Sequence, residues 1–137
     1  MPASPYTFPF HSIGSPAEGF VTTTQCAGNL PFAVKRVFWT HGTPAAVVRG
    51  RHAHKATEQV LVAVQGRIRV AVDNGSTQQT FILDAPDQGL YLPPLHWANL
   101  NFEEGALLLC LTSSDFSEAD YIRSYEAFQQ AIQALKR

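Results

Sequence analysis

The sequence predicts an all-β domain of the sandwich or barrel type, closed by a single C-terminal helix. Three observations carry this. Short runs of β-branched and aromatic residues recur along the chain. Turn-forming residues separate them at intervals of about eight to twelve residues, the spacing of sandwiches and barrels. Only the C-terminal stretch changes to a helical period.

Residues 1–19 hold four prolines and few periodic apolar positions, and read as an irregular arm. FVTTTQ (20–25) is strand-like, as is AVKRVFWT (33–40), which Pro31 opens. A turn at His41–Pro44 leads to AAVVRG (45–50), then QVLVAVQG (59–66) and RIRVAVDNG (67–75). In the last of these Ile68, Val70 and Val72 alternate with Arg67, Arg69 and Ala71, a period of two, and Asn74-Gly75 signals a tight hairpin. TFIL (80–83), GLYLPP (89–94), HWANLNF (96–102) and ALLLCLT (106–112) complete nine expected strands. Ser117 is expected to cap a helix over 117–135, with apolar residues at Tyr121, Ile122, Tyr125, Phe128, Ile132 and Leu135. No repeat or linker divides the chain, so residues 1–137 read as one domain.

Composition narrows the function. Hydrophobic residues make up 45% of the 137 and charged residues 15%, enough for one core and too little charge for disorder. A formal net charge of −1 argues against nucleic acid or a membrane surface as partner. Lys35, Arg36, Arg49, Arg51 and Lys55 nevertheless cluster, which suits a small anion. Cys26 and Cys110 make no disulfide framework and are expected as buried free thiols on strands. The N-terminus lacks a signal-peptide pattern, and the apolar run ALLLCL is far too short to span a bilayer, so a cytoplasmic location is expected.

His52-Ala53-His54 is the main chemical feature. Side chains two apart on a strand share a face, so two imidazoles project together, beside Arg49, Arg51 and Lys55. Paired histidines titrating near neutrality suit general acid–base work, and the neighbouring cations Arg49 and Lys55 are expected to hold them neutral. The spacing resembles the first cupin motif, whose metal-binding members add a glutamate and a later histidine. Counted back from Gly66, the glutamate position falls on Gln59, and the later histidine position falls near Ala98, with His96 two residues early. An amide and an alanine are poor ligands, so no metal and no cofactor is expected.

The stretch RGRHAHKATEQVLVAVQG (49–66) resembles the dTDP-4-keto-6-deoxyhexose 3,4-ketoisomerases, the WxcM-like sugar ketoisomerase cupins, with their R-G-x-H-A-H-K run. LPFAVKRVFW (30–39), GLYLPPLHW (89–97) and EADYIRSYEAF (118–128) are similar to further segments of that family, in the same order, covering about residues 19–128. The resemblance implies a cupin-type jelly-roll β-barrel and a homodimer that exchanges N-terminal strands. It also implies a metal-free isomerase acting on a dTDP-linked keto-deoxysugar. His52 and His54 would then be the catalytic proton carriers between C3 and C4, through an enediol. Arg36 and Arg49 would bind the diphosphate, with Lys55 and Gln59 also in the substrate site. Tyr91 and Trp97 are candidates to stack on a thymine or sugar ring, or equally to pack into the core.

Four differences from the family surround the expected pocket: Phe38-Trp39 replaces a tyrosine pair, His41 an aromatic residue, Ala98 an arginine or histidine, and TTTQCAGN (22–29) lacks acidic residues. They leave open a sugar-nucleotide-binding cupin without catalysis. A metal-dependent cupin using His52, His54 and Glu58 is the third alternative. Tyr121, Tyr125 and Phe128 read as core, Asp120 and Arg123 as a solvated pair on the helix, and His11 and His96 as surface or capping residues.

Overall fold

The computed structural model describes residues 3–136. Met1 and Pro2, at the head of the expected arm, and Arg137, the last residue of the expected domain, lie outside the described residues. The elements are β1 (Tyr6–Pro9), β2 (His11–Ser15), β3 (Gly19–Thr23), β4 (Arg36–Thr40), β5 (Val48–His54), β6 (Gln59–Gln65), β7 (Ile68–Asp73), β8 (Gln78–Leu83), β9 (Gln88–Leu92), β10 (Trp97–Phe102), β11 (Leu107–Thr112), β12 (Tyr121–Ile122) and α1 (Tyr125–Leu135).

Two five-stranded sheets face one another, in the orders β1-β9-β6-β11-β4 and β12-β5-β10-β7-β8, and β2 and β3 form a separate hairpin. Every pairing is antiparallel. Alternate residues fill the space between the sheets: Leu61, Leu90, Leu92, Leu108 and Cys110 from one, Ile68, Val70, Val72, Leu100 and Phe102 from the other. The period-two pattern read in β7 is therefore the inward face of a strand half-buried between layers. Asn74 and Gly75 close the β7–β8 hairpin, the Asn74 side chain accepting from the amides of Ser76 and Thr77. Among the described residues no ladder joins the two sheets, so the expected barrel is an open jelly-roll sandwich of the cupin type.

Three expectations change. The N-terminal arm is not irregular: β1 adds to β9, with Tyr6 opposite Tyr91, and β2 and β3 pair through His11 and Thr23. Proline is tolerated here because β1 is an edge strand. The helix is shorter than the expected 117–135. Ser124, not Ser117, caps it, accepting from the Ala127 amide at 3.1 Å. Residues 118–120 form a 3₁₀ turn, and Tyr121–Ile122 pair with Ala53–His54 of β5. Strand pairing together with burial of Ile122 outweighs the local helical spacing. Finally, Cys110 is buried as expected, but Cys26 is exposed in a turn.

Candidate active site

β5 supplies most of the site. Its partner β10 runs in register through Asn99↔Gly50 and then shifts to Ala98↔His52, leaving Arg51 unpaired as a β-bulge. Gly50 and Arg51 both take positive φ, 83° and 57°. A Cβ on Gly50 would lie 2.6 Å from the Ala98 carbonyl oxygen, so the crossing requires glycine. The extra residue reverses the alternation. Arg49 joins His52 and His54 in the wall of one cavity, while Arg51 turns to solvent.

That cavity lies between the sheets and encloses about 100 Å3. Gln59 at the start of β6 lines it, its amide Nε2 3.5 Å from the Cys110 sulfur. Burial pushes the Cys110 thiol up to about 12, so it stays protonated and is no nucleophile. Phe38 and Leu61 add apolar wall. Arg36, on the same face of β4 as Phe38, is not part of the cavity wall; its guanidinium lies over the rings of Phe38 (4.5 Å), which is, and of Phe116 (5.0 Å).

The two imidazoles lie edge to face, ring centres 5.1 Å apart. His52 Nδ1 is 3.0 Å from the Gly50 carbonyl, and His54 Nδ1 is 3.0 Å from an Asp120 carboxylate oxygen. Both partners are acceptors, so each Nδ1 carries the hydrogen and each neutral ring keeps its lone pair on Nε2. His54 Nε2 is buried and has no protein partner. Burial is the largest influence on both rings and lowers them below their ordinary 6.5. The cations that add to this are Arg36 and Arg123 at His54, and Arg123 at His52, rather than the expected Arg49 and Lys55. Two neutral, neighbouring imidazoles with free Nε2 atoms can take and return protons on a substrate held between the sheets.

The cavity thus brings together Arg49, His52, His54 and Gln59, with Arg36 stacked on the lining residue Phe38. Lys55 is exposed beyond the end of β5 and lines no part of the cavity wall. Tyr91 and Trp97 also stay out of that wall. Tyr91 faces the other side of β9, donating to Glu58 at 2.6 Å and packing on Tyr6. Trp97 packs on Tyr125 and Phe128 beneath α1. Both are adjacent to residues that do line the cavity, and alternation turns them away from it. With Glu58 held by Tyr91, the His52–His54–Glu58 ligand set is not assembled. Trp39 points outward, 61% exposed, so of the two positions that differ from the family's tyrosines only Phe38 reaches the cavity.

Three residues at or beside the site were not assigned to it from sequence. His96 lines the cavity, its Nδ1 2.9 Å from the Pro94 carbonyl. Tyr121 lies on both histidines, ring centres 4.9 Å from His52 and 4.4 Å from His54. Asp120 holds His54 and is not a partner of Arg123, which pairs instead with Glu118. The D-Y sequence sat inside an apolar helical pattern, which hid its pairing with β5.

A jelly-roll cupin with two neighbouring histidines in the wall of its interior cavity is the class this fold and site define. The chain matches the family model described as WxcM-like, C-terminal (FdtA) over residues 6–133, and it belongs to that family. It is 41% identical over 117 residues to the TDP-4-oxo-6-deoxy-alpha-D-glucose-3,4-oxoisomerase of Aneurinibacillus thermoaerophilus, covering 85% of this chain and 84% of that one. Among solved structures it superposes on a 3,4-ketoisomerase from Helicobacter canadensis with a TM-score of 0.89 at 29% identity, covering 94% of this chain and 97% of that one. The 3,4-ketoisomerase QdtA of Thermoanaerobacterium thermosaccharolyticum, solved in complex with TDP, gives 0.91 at 29% identity over 98% of both chains. The protein is an isomerase of the sugar 3,4-ketoisomerase class.

Proposed function

We propose that the protein interconverts the 4-keto and 3-keto forms of a dTDP-linked 6-deoxyhexose, with His52 and His54 as the proton carriers. One observation carries the residue assignment: two neutral imidazoles share one cavity, each with Nδ1 engaged and Nε2 free. One histidine takes the proton from C3, which the C4 carbonyl makes acidic. The C3–H electron pair becomes the C3=C4 bond, and the C4 oxygen takes a proton to give an enediol. The C3 hydroxyl then gives up its proton as C3=O forms, and a proton returns to C4. Hydrogens move only within the substrate and its acid–base partners, so no redox cofactor enters the balance.

Arg49 in the wall and Arg36 stacked on Phe38 supply cations for the diphosphate, and Gln59 supplies an amide to the sugar. Two structures of one relative support this substrate. QdtA was solved with TDP, and a histidine-to-asparagine variant of it with TDP-4-keto-6-deoxyglucose. The chain is further read as a homodimer that exchanges N-terminal strands. The β2–β3 hairpin pairs with no other described strand, and Ile13, Phe20 and Val21 on it are exposed. Proton NMR of TDP-4-keto-6-deoxyglucose with micromolar protein tests the reaction: resonances of the 3-keto isomer should grow in. An unchanged spectrum over hours with folded protein overturns the proposed reaction.

A further inference from the structure

Asp120 makes more contacts with the site than any sequence feature suggests. Its Oδ1 accepts from the Ala56 amide at 2.8 Å. Its Oδ2 accepts from His54 Nδ1, from the Thr57 amide at 3.3 Å and from the Thr57 hydroxyl. Its own carbonyl accepts from the Lys55 amide at 2.8 Å. The Thr57 hydroxyl is in turn held by Ser114. The whole turn after β5 is clamped to one carboxylate that enters from the C-terminal segment. Burial opposes the charge on Asp120, yet hydrogen bonds from Thr57, Ala56 and His54 outweigh it and keep the carboxyl below its ordinary value. It is an anion at the working pH of any isomerase near neutrality.

The two histidines are therefore not equivalent. His52 rests on a neutral backbone carbonyl, His54 on a carboxylate. When a ring accepts a proton on Nε2, its Nδ1–H becomes more acidic and the ring gains a full positive charge. A carboxylate against Nδ1–H stabilises that charge, whereas a carbonyl does so only weakly. His54 is also the ring whose Nε2 is buried without a protein partner.

We propose that Asp120 is the positioning residue of His54, setting the tautomer, the aim and the proton affinity of that ring through its Nδ1. This rests on the isomerase reading above. Asp120 holds the Nδ1–H tautomer, aims the Nε2 lone pair, and stabilises the imidazolium whenever His54 takes up a proton from the substrate. Tyr121, the next residue, lies over both rings and keeps their faces dry.

Groups that face His54 from every packed element bear on its titration. They are His52 and Arg49 on β5, Arg36 on β4, Cys110 on β11 and His96 before β10. From the C-terminal segment come Asp120, Tyr121 and Arg123. Among them only Asp120 favours the protonated ring, so its loss must move His54 further down.

The test uses Asp120→Asn and Asp120→Glu, with nitrogen-15 NMR of the histidine rings beside steady-state kinetics. In the unmodified protein His54 is expected with Nδ1 protonated and Nε2 bare at neutral pH; the opposite tautomer overturns the proposal without any variant. In Asp120→Asn the kcat is expected to fall about a hundredfold with KM changed less than about threefold. Both the NMR titration of His54 and the acid limb of kcat/KM should move to lower pH. Asp120→Glu, which keeps the charge, should restore the titration toward its original position and recover at least about tenfold of the lost kcat. A merely structural carboxylate would leave the His54 titration unmoved in the Asn variant, and that result overturns the proposal. If the unmodified protein turns over no keto sugar, the isomerase reading fails, while the ring titrations still decide the role of Asp120.

Discussion

Gly50 passes so close to Ala98 that an added Cβ would sit 2.6 Å from the Ala98 carbonyl oxygen, and this contact lets β5 bulge at Arg51. The bulge puts Arg49 on the same side as His52 and His54, although the residue numbers alone would place Arg49 on the opposite face. Gly50→Ala must therefore shift β5 from β10 as well as bear a φ of 83°. Urea denaturation should show a loss of about 1–3 kcal/mol. The folded variant should also bind dTDP at least about tenfold more weakly, because Arg49 leaves the cavity. Unchanged stability and unchanged dTDP affinity together would contradict this account of the bulge.

His52→Asn and His54→Asn should each lower turnover by about a hundredfold or more, as expected for lost acid–base groups. Neither should unfold the protein, since asparagine keeps a polar group of similar reach at Nδ1. Circular dichroism and proton NMR of turnover check both statements. Turnover within a few-fold of the original in both variants would remove the histidine mechanism.

The pH dependence has a defined sign. Burial holds both histidines below 6.5 in the folded protein. Between that lowered value and 6.5 the unfolded chain binds protons that the folded chain refuses, so stability falls as the pH drops through this window and is level above it. Activity needs the neutral base, so kcat/KM should stay flat down through 6.5 and decline only below it. An acid limb centred at or above 6.5 would show that the site is wetter, or its carboxylate stronger, than the structure implies.

Anion binding should come from two local cations and not from the overall charge, which is −1. Calorimetry should find dTDP bound clearly better than thymidine, with Arg49→Ala and Arg36→Ala each reducing that preference. A charge-assisted contact of about 1.5–3 kcal/mol corresponds to a loss of roughly ten- to a hundredfold per arginine. Arg49→Lys should also weaken binding, because it keeps charge but loses the fork. Lys55→Ala, outside the cavity wall, should change affinity little. Equal binding of dTDP and thymidine by the unmodified protein would remove the nucleotide diphosphate from the site.

Light scattering should give the mass of a dimer, and Phe20→Asp with Val21→Asp on the exposed hairpin should shift it toward monomer. A monomer at high micromolar concentration before any substitution would contradict the homodimer.

The local chemistry of the chain determined the strands and the histidine pair. Ile68, Val70 and Val72 alternate because one face of β7 is buried, Asn74-Gly75 forms a hairpin by its own backbone preferences, and His52 and His54 share a face because they are two positions apart on a strand. Each of these depends on neighbours within a few positions, and a sequence displays such neighbours directly. Long-range contacts decided the rest. Tyr121–Ile122 became a strand because β5 lay open beside them, which brought Asp120 to His54 across 66 positions. Tyr91 and Trp97 left the site because strand alternation directs them into other layers, while the turn after Pro94 brought His96 in. Arg49 entered the cavity only because Gly50 fits beneath the Ala98 carbonyl. Hydrophobic period and turn chemistry act along the chain, whereas register, bulges and the partner of a buried polar atom are set between strands distant in sequence, which is why the tertiary structure alone could assign them.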